Sequence, residues 1–391
     1  MNQEMVVQTA WRDAIKEITK ELENVPGNLQ NIHTPFDLCT KVVDKLKEYM
    51  GDFAGKEFCV FNLEFIEVLC YNFGVQKEKI WFVTDCKEKA AIAKSSRYQG
   101  VNVMQEDFFE MLKKKNEGKK FDVVVGNPPY QDPNNKGVPL WVKFVKKSLG
   151  LSKDNGYIAL IHPSSWRRPL HELHDDLFYR QMQYLEIHNQ QDGMRNFGCG
   201  TRYDWYILQN SKNHKNTIVI DEDGQTSSLN FFKQNFIPHA CLDILEKCLA
   251  KNREDKCKVI YSRTMYGHDK AWMSVTKHDK FEYPCVRATP CTKIPTIIYS
   301  SKKEGHFGIS KVIIGVASPE NCFYDSEGEY GISDGCFGII TNNKIEANNI
   351  INVLSSDKFR KIIDSCKWAG FAMEFKIFQS FKRDFWKEFL K

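Results

Sequence analysis

The sequence has no run of about 18 apolar residues, so no segment reads as a membrane-crossing helix, and its first residues carry no signal-peptide pattern. It has no Cys-x-x-Cys pair. Its 13 cysteines are odd in number and irregularly spaced, which argues against a disulfide framework or a zinc site and for thiols in a reducing, cytoplasmic setting. No Pro-Asp occurs anywhere, so the start of a Pro-Asp…Glu-x-Lys nuclease site is missing. No glycine lies between Gly55 and Gly74, and the backbone there cannot approach a ligand as a glycine loop does.

What is present describes a globular chain. Hydrophobic residues make up 42% and aromatics 13% of 391 residues, which excludes disorder and is too much for one ordinary core, so two domains are expected. The net charge is +5, but it is unevenly placed. Residues 231–391 hold 25 Lys+Arg against 19 Asp+Glu, while 1–230 hold 30 against 31. A modest basic surplus in one half is weak evidence of a nucleic-acid partner.

The most informative stretch is Phe121-Asp122-Val123-Val124-Val125-Gly126-Asn127-Pro128-Pro129-Tyr130. The valine run reads as a strand buried on both faces, as in a parallel sheet under helices. Two prolines then fix φ twice and remove two donors, leaving a rigid loop at the strand's carboxyl end. Open α/β sheets bind ligands at that edge. The Asn127 side-chain oxygen and the Pro128 carbonyl are two fixed acceptors, enough for both hydrogens of one exocyclic amine, and Tyr130 offers a flat stacking face. Other strands end in polar residues at a steady interval. Glu57–Phe65 reads as a strand carrying Asn62 and Glu64 at its end; Lys79–Asp85 and Val101–Phe108 follow, ending in acids. Asn62, Asp85, Asp107 and Asn127 are 23, 22 and 20 residues apart, about one strand plus one helix each time. Repeated βα units bring such ends to one edge of a parallel sheet. A carboxylate such as Asp85 can there accept both hydroxyls of a ribose.

Asn127-Pro128-Pro129-Tyr130 resembles the catalytic motif of DNA adenine-N6 methyltransferases, and the order of elements resembles the gamma type found among modification methylases of restriction–modification systems. The resemblance covers roughly residues 30–210 and is specific at 121–130. It implies an α/β, Rossmann-like methyltransferase domain with a mainly parallel sheet over residues 1–225, residues 1–50 supplying N-terminal helices, and a C-terminal α+β DNA-recognition domain over 226–391. It implies S-adenosylmethionine as methyl donor, no metal, and double-stranded DNA as partner. A separate restriction endonuclease, a monomeric or dimeric state and a bacterial or phage source would suit such an enzyme.

By the same resemblance Asn127, Pro128, Pro129 and Tyr130 form the catalytic loop. Thr34 and Pro35, Asn62, Glu64, Asp85, Asp107, Phe108 and Asn127 fall where the donor is held. Thr34-Pro35 would lie beside its methionine end, and Asp107-Phe108 would hold its adenine. Tyr130 and Phe197, with Tyr203 as second choice in place of Phe197, would sandwich the target base; a glycine-punctuated turn running into an aromatic strand over 193–208 would carry Phe197 and Tyr203. The sequence departs from the pattern at Asn62, where an acid followed by glycines is usual. Ser164–Arg168 offers two arginines for phosphates or a solvated loop.

Overall fold

In the computed structural model the chain is described over residues 33–106, 110–111, 118–132, 138–292, 294–368 and 373–390. It divides into two compact units. One runs up to Trp166 and resumes over Glu172–Gln234; the other comprises Arg167–His171 and the chain from Asn235 onward.

The first unit is built on a nine-stranded sheet in the order β3-β2-β1-β4-β5-β7-β6-β8-β9. Its strands are β1 (Phe58–Val60), β2 (Ile80–Thr84), β3 (Asn102–Gln105), β4 (Phe121–Gly126), β5 (Ser152–Pro163), β6 (Arg180–His188), β7 (Tyr203–Lys212), β8 (Thr217–Ile220) and β9 (Thr226–Leu229). β1 to β5 pair in parallel, β7 runs antiparallel between β5 and β6, and β9 reverses against β8. This is a Rossmann-like, mainly parallel α/β sheet. Parallel strands joined by βα units need cover on both faces, which explains the wholly apolar Val123, Val124 and Val125 in β4, all buried. After β1 the chain moves to β2 on one side of it, whereas β4 lies on the other. The boundary between β1 and β4 is therefore the topological switch point, where doubly wound sheets open a crevice at their carboxyl edge.

Two helices frame that edge. Phe36–Met50 buries Leu38, Val42, Val43 and Leu46 at helical spacing, with Pro35 at its start. Gln190–Phe197 is capped by the Asn189 side chain, which accepts from the Asp192 amide, and ends at Gly198 in the left-handed region (φ 67°). A helix thus stands where the sequence suggested a glycine-punctuated turn. Gly193 is the reason it can fold back, because a Cβ there would lie 2.1 Å from the Thr201 carbonyl oxygen.

The expected strand over Glu57–Phe65 is shorter. β1 stops at Val60, and a helix over Leu63–Glu67 starts at once with Asn62 at its N-cap position. Glu64 therefore sits in a first helical turn instead of at a strand end.

The second unit is α+β. Its strands are β10 (Val259–Ile260), β11 (Met273–Ser274), β12 (Tyr283–Ala288), β13 (Thr296–Ser300), β14 (Lys311–Gly315), β15 (Phe323–Asp325), β16 (Gly331–Ile332) and β17 (Cys336–Ile340), in two four-stranded sheets ordered β10-β17-β14-β15 and β11-β13-β12-β16. The helices Lys344–Leu354 and Asp357–Ser365 belong to it, with a phenylalanine cluster of Phe359, Phe378, Phe381 and Phe385. Arg167 is buried here. Its guanidinium donates to the carbonyls of Ile237 (2.9 Å) and Pro238 (2.7 Å) and to His239 Nδ1 (2.8 Å). It is a structural donor, neither a phosphate contact nor part of a solvated loop; Arg168 is exposed. A cavity of about 1150 Å³ in this unit is lined by seven acids against five bases, so its charge does not suit a phosphate groove.

Candidate active site

The two loops that leave β1 and β4 meet across the switch point. Asn62 grips the backbone of Asn127 twice: its Oδ1 accepts from the Asn127 amide at 2.5 Å, and its Nδ2 donates to the Asn127 carbonyl at 3.1 Å. Gly126 makes this approach possible. A Cβ on it would lie 2.9 Å from Phe61 Cβ and 3.0 Å from Asn62 Oδ1, both too close.

The Asn127 side chain is tied at one end only. Nδ2 donates to Thr34 Oγ1 at 3.2 Å. Oδ1 is buried and has no hydrogen-bond partner. Leaving a buried acceptor unpaired costs roughly 1–3 kcal/mol, so such an atom asks for an explanation. The Tyr130 hydroxyl, three residues on, is likewise buried and unpaired, and burial pushes its acidity well below that of an ordinary phenol by raising its pKa. The Tyr130 ring meets Phe197 at 6.5 Å between centroids, inclined at 74°, and Phe197 in turn meets Tyr203 at 4.9 Å edge to face. Tyr203 is fully buried, stacked on His188 at 4.4 Å, and takes a hydrogen bond from Asn196 on its hydroxyl. Of the two aromatic candidates, Phe197 is the more exposed and Tyr203 its support.

Thr34 is nearly inaccessible, and its backbone N–H donates to Glu64 Oε1 at 3.1 Å, the same oxygen that His33 Nδ1 approaches at 3.2 Å. Burial alone would raise the Glu64 carboxyl. The bond from His33, the nearby Lys89 ammonium and its own backbone amide outweigh this and hold it below the usual carboxylate range. Burial lowers Lys89, with the charges of Glu64 and Asp85 acting against that. Asp85 follows β2 directly and is half-buried. Thus Thr34, Asn62, Glu64 and Asn127 form one connected cluster. Asp85 is linked to it through Lys89, and Tyr130 and Phe197 form an adjoining aromatic pair. Pro35 starts the helix that presents Thr34. Pro128 and Pro129 follow Asn127 in the rigid loop. Asp107 and Phe108 lie outside the described residues.

His33 and Lys89 are the members that reading the sequence missed. His33 precedes Thr34-Pro35 with nothing to mark it. Lys89 was visible only as a helix residue, although its spacing of four from Asp85 places it over the end of β2.

Residues 62–192 match the model of the Eco57I restriction-modification methylase family. That segment is about a third of the chain. The matched segment starts at Asn62 and takes in Asn127–Tyr130, the two loops that meet at the switch point. Comparison with curated proteins finds none that matches. Among solved structures, the chain is similar to the type IIG restriction endonuclease BpuSI, with 11% identity, 92% of this chain and 61% of that one covered, and a TM-score of 0.45. It is similar to the type IIL restriction-modification enzyme MmeI in complex with DNA, with 11% identity, coverage of 90% and 64%, and a TM-score of 0.42. A type I restriction-modification methyltransferase subunit from Streptococcus thermophilus shares 16% identity, with coverage of 50% and 49% and a TM-score of 0.37. The chain thus spans about half to two thirds of the length of these structures. Likeness at this level is distant, and the fold rests on the strand order itself. Among the described residues no helix is long and apolar enough to cross a membrane, and no group of His, Cys, Asp and Glu is placed to hold a metal ion.

Proposed function

We propose that the chain transfers a methyl group from S-adenosylmethionine to N6 of an adenine flipped out of double-stranded DNA, as the modification enzyme of a restriction–modification system of the gamma type. The observation that carries this reading is the buried, unpaired Oδ1 of Asn127 on a loop locked by two prolines. It is an acceptor made ready for a donor that arrives with the substrate, and an exocyclic amine supplies one.

Adenine N6 is a poor nucleophile because its lone pair is delocalised into the ring. Asn127 Oδ1 and the Pro128 carbonyl accept its two hydrogens. This draws the lone pair out of conjugation and aims it at the methyl carbon, so catalysis is alignment and electrostatics without a covalent intermediate. Bound S-adenosylmethionine supplies an electrophilic methyl group on a sulfonium. The N6 proton leaves after transfer, so no strong base is required of the chain. Tyr130 and Phe197 take the two faces of the base. Flipping costs a few kcal/mol, and stacking returns about 1–3 kcal/mol per base.

The residues at the carboxyl edge fit such a donor in their chemistry. Asp85 ends β2 as an acceptor for ribose hydroxyls. Thr34, Pro35, Asn62 and Glu64 surround the end of β1, and Asp107-Phe108 follows β3 in sequence for the adenine. The turn after β1 has no glycine, so donor contact there falls to side chains. The similarity of residues 62–192 to the Eco57I restriction-modification methylase family supports DNA as substrate, and the basic surplus in the second half suits a DNA-recognition domain.

The test is transfer of labelled methyl from S-adenosylmethionine to unmethylated genomic DNA, compared with RNA and with the Asn127→Ala variant. Label entering DNA, abolished by the variant, supports the reading. Label entering only RNA or protein moves the activity to that substrate. Absence of donor binding points to a non-catalytic nucleic-acid-binding subunit.

A further inference from the structure

We infer that Thr34 and Asn62 are positioning residues for Asn127: Asn62 clasps its backbone, and Thr34 turns its side-chain amide so that Oδ1 faces the incoming amine. The inference rests on the methyl-transfer reading above and gives these two residues a task beyond donor contact. Asn127 lies past the end of β4 and before a proline, so its backbone N–H and C=O have no strand to pair with. The Asn62 amide satisfies both, at 2.5 and 3.1 Å, and fixes where the Asn127 Cα stands relative to β1.

The side chain needs a second constraint. Rotation about the terminal bond of an asparagine is broad and roughly two-fold. The amide can present either its oxygen or its NH2 group, and an NH2 group would meet the target amine donor against donor. Thr34 Oγ1, 3.2 Å from Nδ2, holds the NH2 end away from that position. A hydroxyl alone serves either orientation, since it donates as well as accepts. The choice is made by the buried Glu64 carboxylate, 3.1 Å from the Thr34 amide: negative charge on that side favours the positive NH2 end of the amide dipole there and the oxygen end opposite. Thr34 is itself held in place. It precedes a helix whose inner face is buried, 93 residues away from Asn127 in the chain.

The test is steady-state kinetics of Thr34→Val and Thr34→Ser in the full-length protein, with donor and DNA varied separately, and the side-chain amide resonance of Asn127 observed after selective asparagine labelling and assigned by its loss in Asn127→Asp. Misplacing a reacting group by about 1 Å costs on the order of 100-fold, so Thr34→Val is expected to lose about 10- to 100-fold in kcat at saturating donor and DNA, whatever change the donor contact brings to the donor KM, while the DNA KM stays within about twofold. Thr34→Ser, which keeps the hydroxyl, is expected to stay near wild type. In the spectrum, Thr34→Val shifts the Asn127 NH2 pair and Thr34→Ser does not. Wild-type kcat in Thr34→Val overturns the inference, as does a loss confined to the donor KM. If wild-type protein methylates no DNA, the functional reading fails on its own. The amide spectrum still decides the positioning, because a pair unmoved in Thr34→Val contradicts it.

Discussion

At the scale of single residues the site is a set of polar atoms whose burial gives them their meaning. Asn127 Oδ1 is the one that waits for substrate, and its removal is the simplest perturbation. Asn127→Ala should lower turnover at least 100-fold, the range seen when one preorganised electrostatic contact is lost, with only a modest fall in the thermal midpoint from the lost Nδ2–Thr34 hydrogen bond. Single-turnover rates beside a melting curve check both halves of that statement. A second buried acid offers a stability test. Glu186 is raised by burial, but His188, Lys41 at 2.5 Å and the Tyr184 hydroxyl at 2.7 Å outweigh this and hold it down to about 2. A depressed carboxylate adds stability above its unfolded pKa, near 4.5, and that stability is lost as pH falls toward 2. The size is roughly 3 kcal/mol. Denaturant unfolding at pH 6 and pH 3 should show more than half of that loss in the wild type, and Glu186→Gln should show distinctly less of it.

At the scale of elements, much of the first unit was legible. The even spacing of Asn62, Asp85 and Asn127 marked successive βα units, and the valine run marked the central strand. What misled was the stretch after β1. Residues 58–69 are apolar almost throughout, and a continuous apolar run does not distinguish a strand from a buried helix. With no glycine or proline to punctuate it, the change from β1 to the helix at Leu63 left no mark. The helix Gln190–Phe197 was hidden for the opposite reason, since its polar residues around Gly193 read as a turn. The links among Thr34, Glu64 and Asn127 span up to 93 residues and belong to the tertiary structure alone. The contact between the β1 and β4 loops can be broken at one atom. Gly126→Ala places a methyl group 2.9 Å from Phe61 Cβ; overpacking of this kind costs about 1–3 kcal/mol, and the displaced Asn62 clasp should lower turnover beyond what the stability loss explains. Calorimetry and kinetics on the same preparation separate the two effects.

At the scale of the whole molecule, the chain does not pass once from one unit to the other. Residues 167–171 belong to the second unit although they lie between β5 and β6 of the first. No composition signal announces this, because Ser-Ser-Trp-Arg-Arg reads equally as a surface loop. The consequence is that residues 235–391 alone lack a buried donor they depend on. Arg167 satisfies the carbonyls of Ile237 and Pro238 and binds His239 Nδ1, while His239 Nε2 donates to the Lys367 carbonyl at 3.0 Å. Arg167→Ala in the full chain should cost roughly 2–4 kcal/mol through these unmet buried acceptors, and a fragment starting at Asn235 should melt lower than the second unit does in the intact protein. Differential scanning calorimetry of the three proteins would decide this.

The chemical identity of the product is read most directly by mass-spectrometric nucleoside analysis of duplex DNA incubated with the full chain and S-adenosylmethionine. The expected product is N6-methyladenine, present with wild type and absent with Asn127→Ala. N4-methylcytosine, C5-methylcytosine, or N6-methyladenine formed equally well by the variant would contradict it.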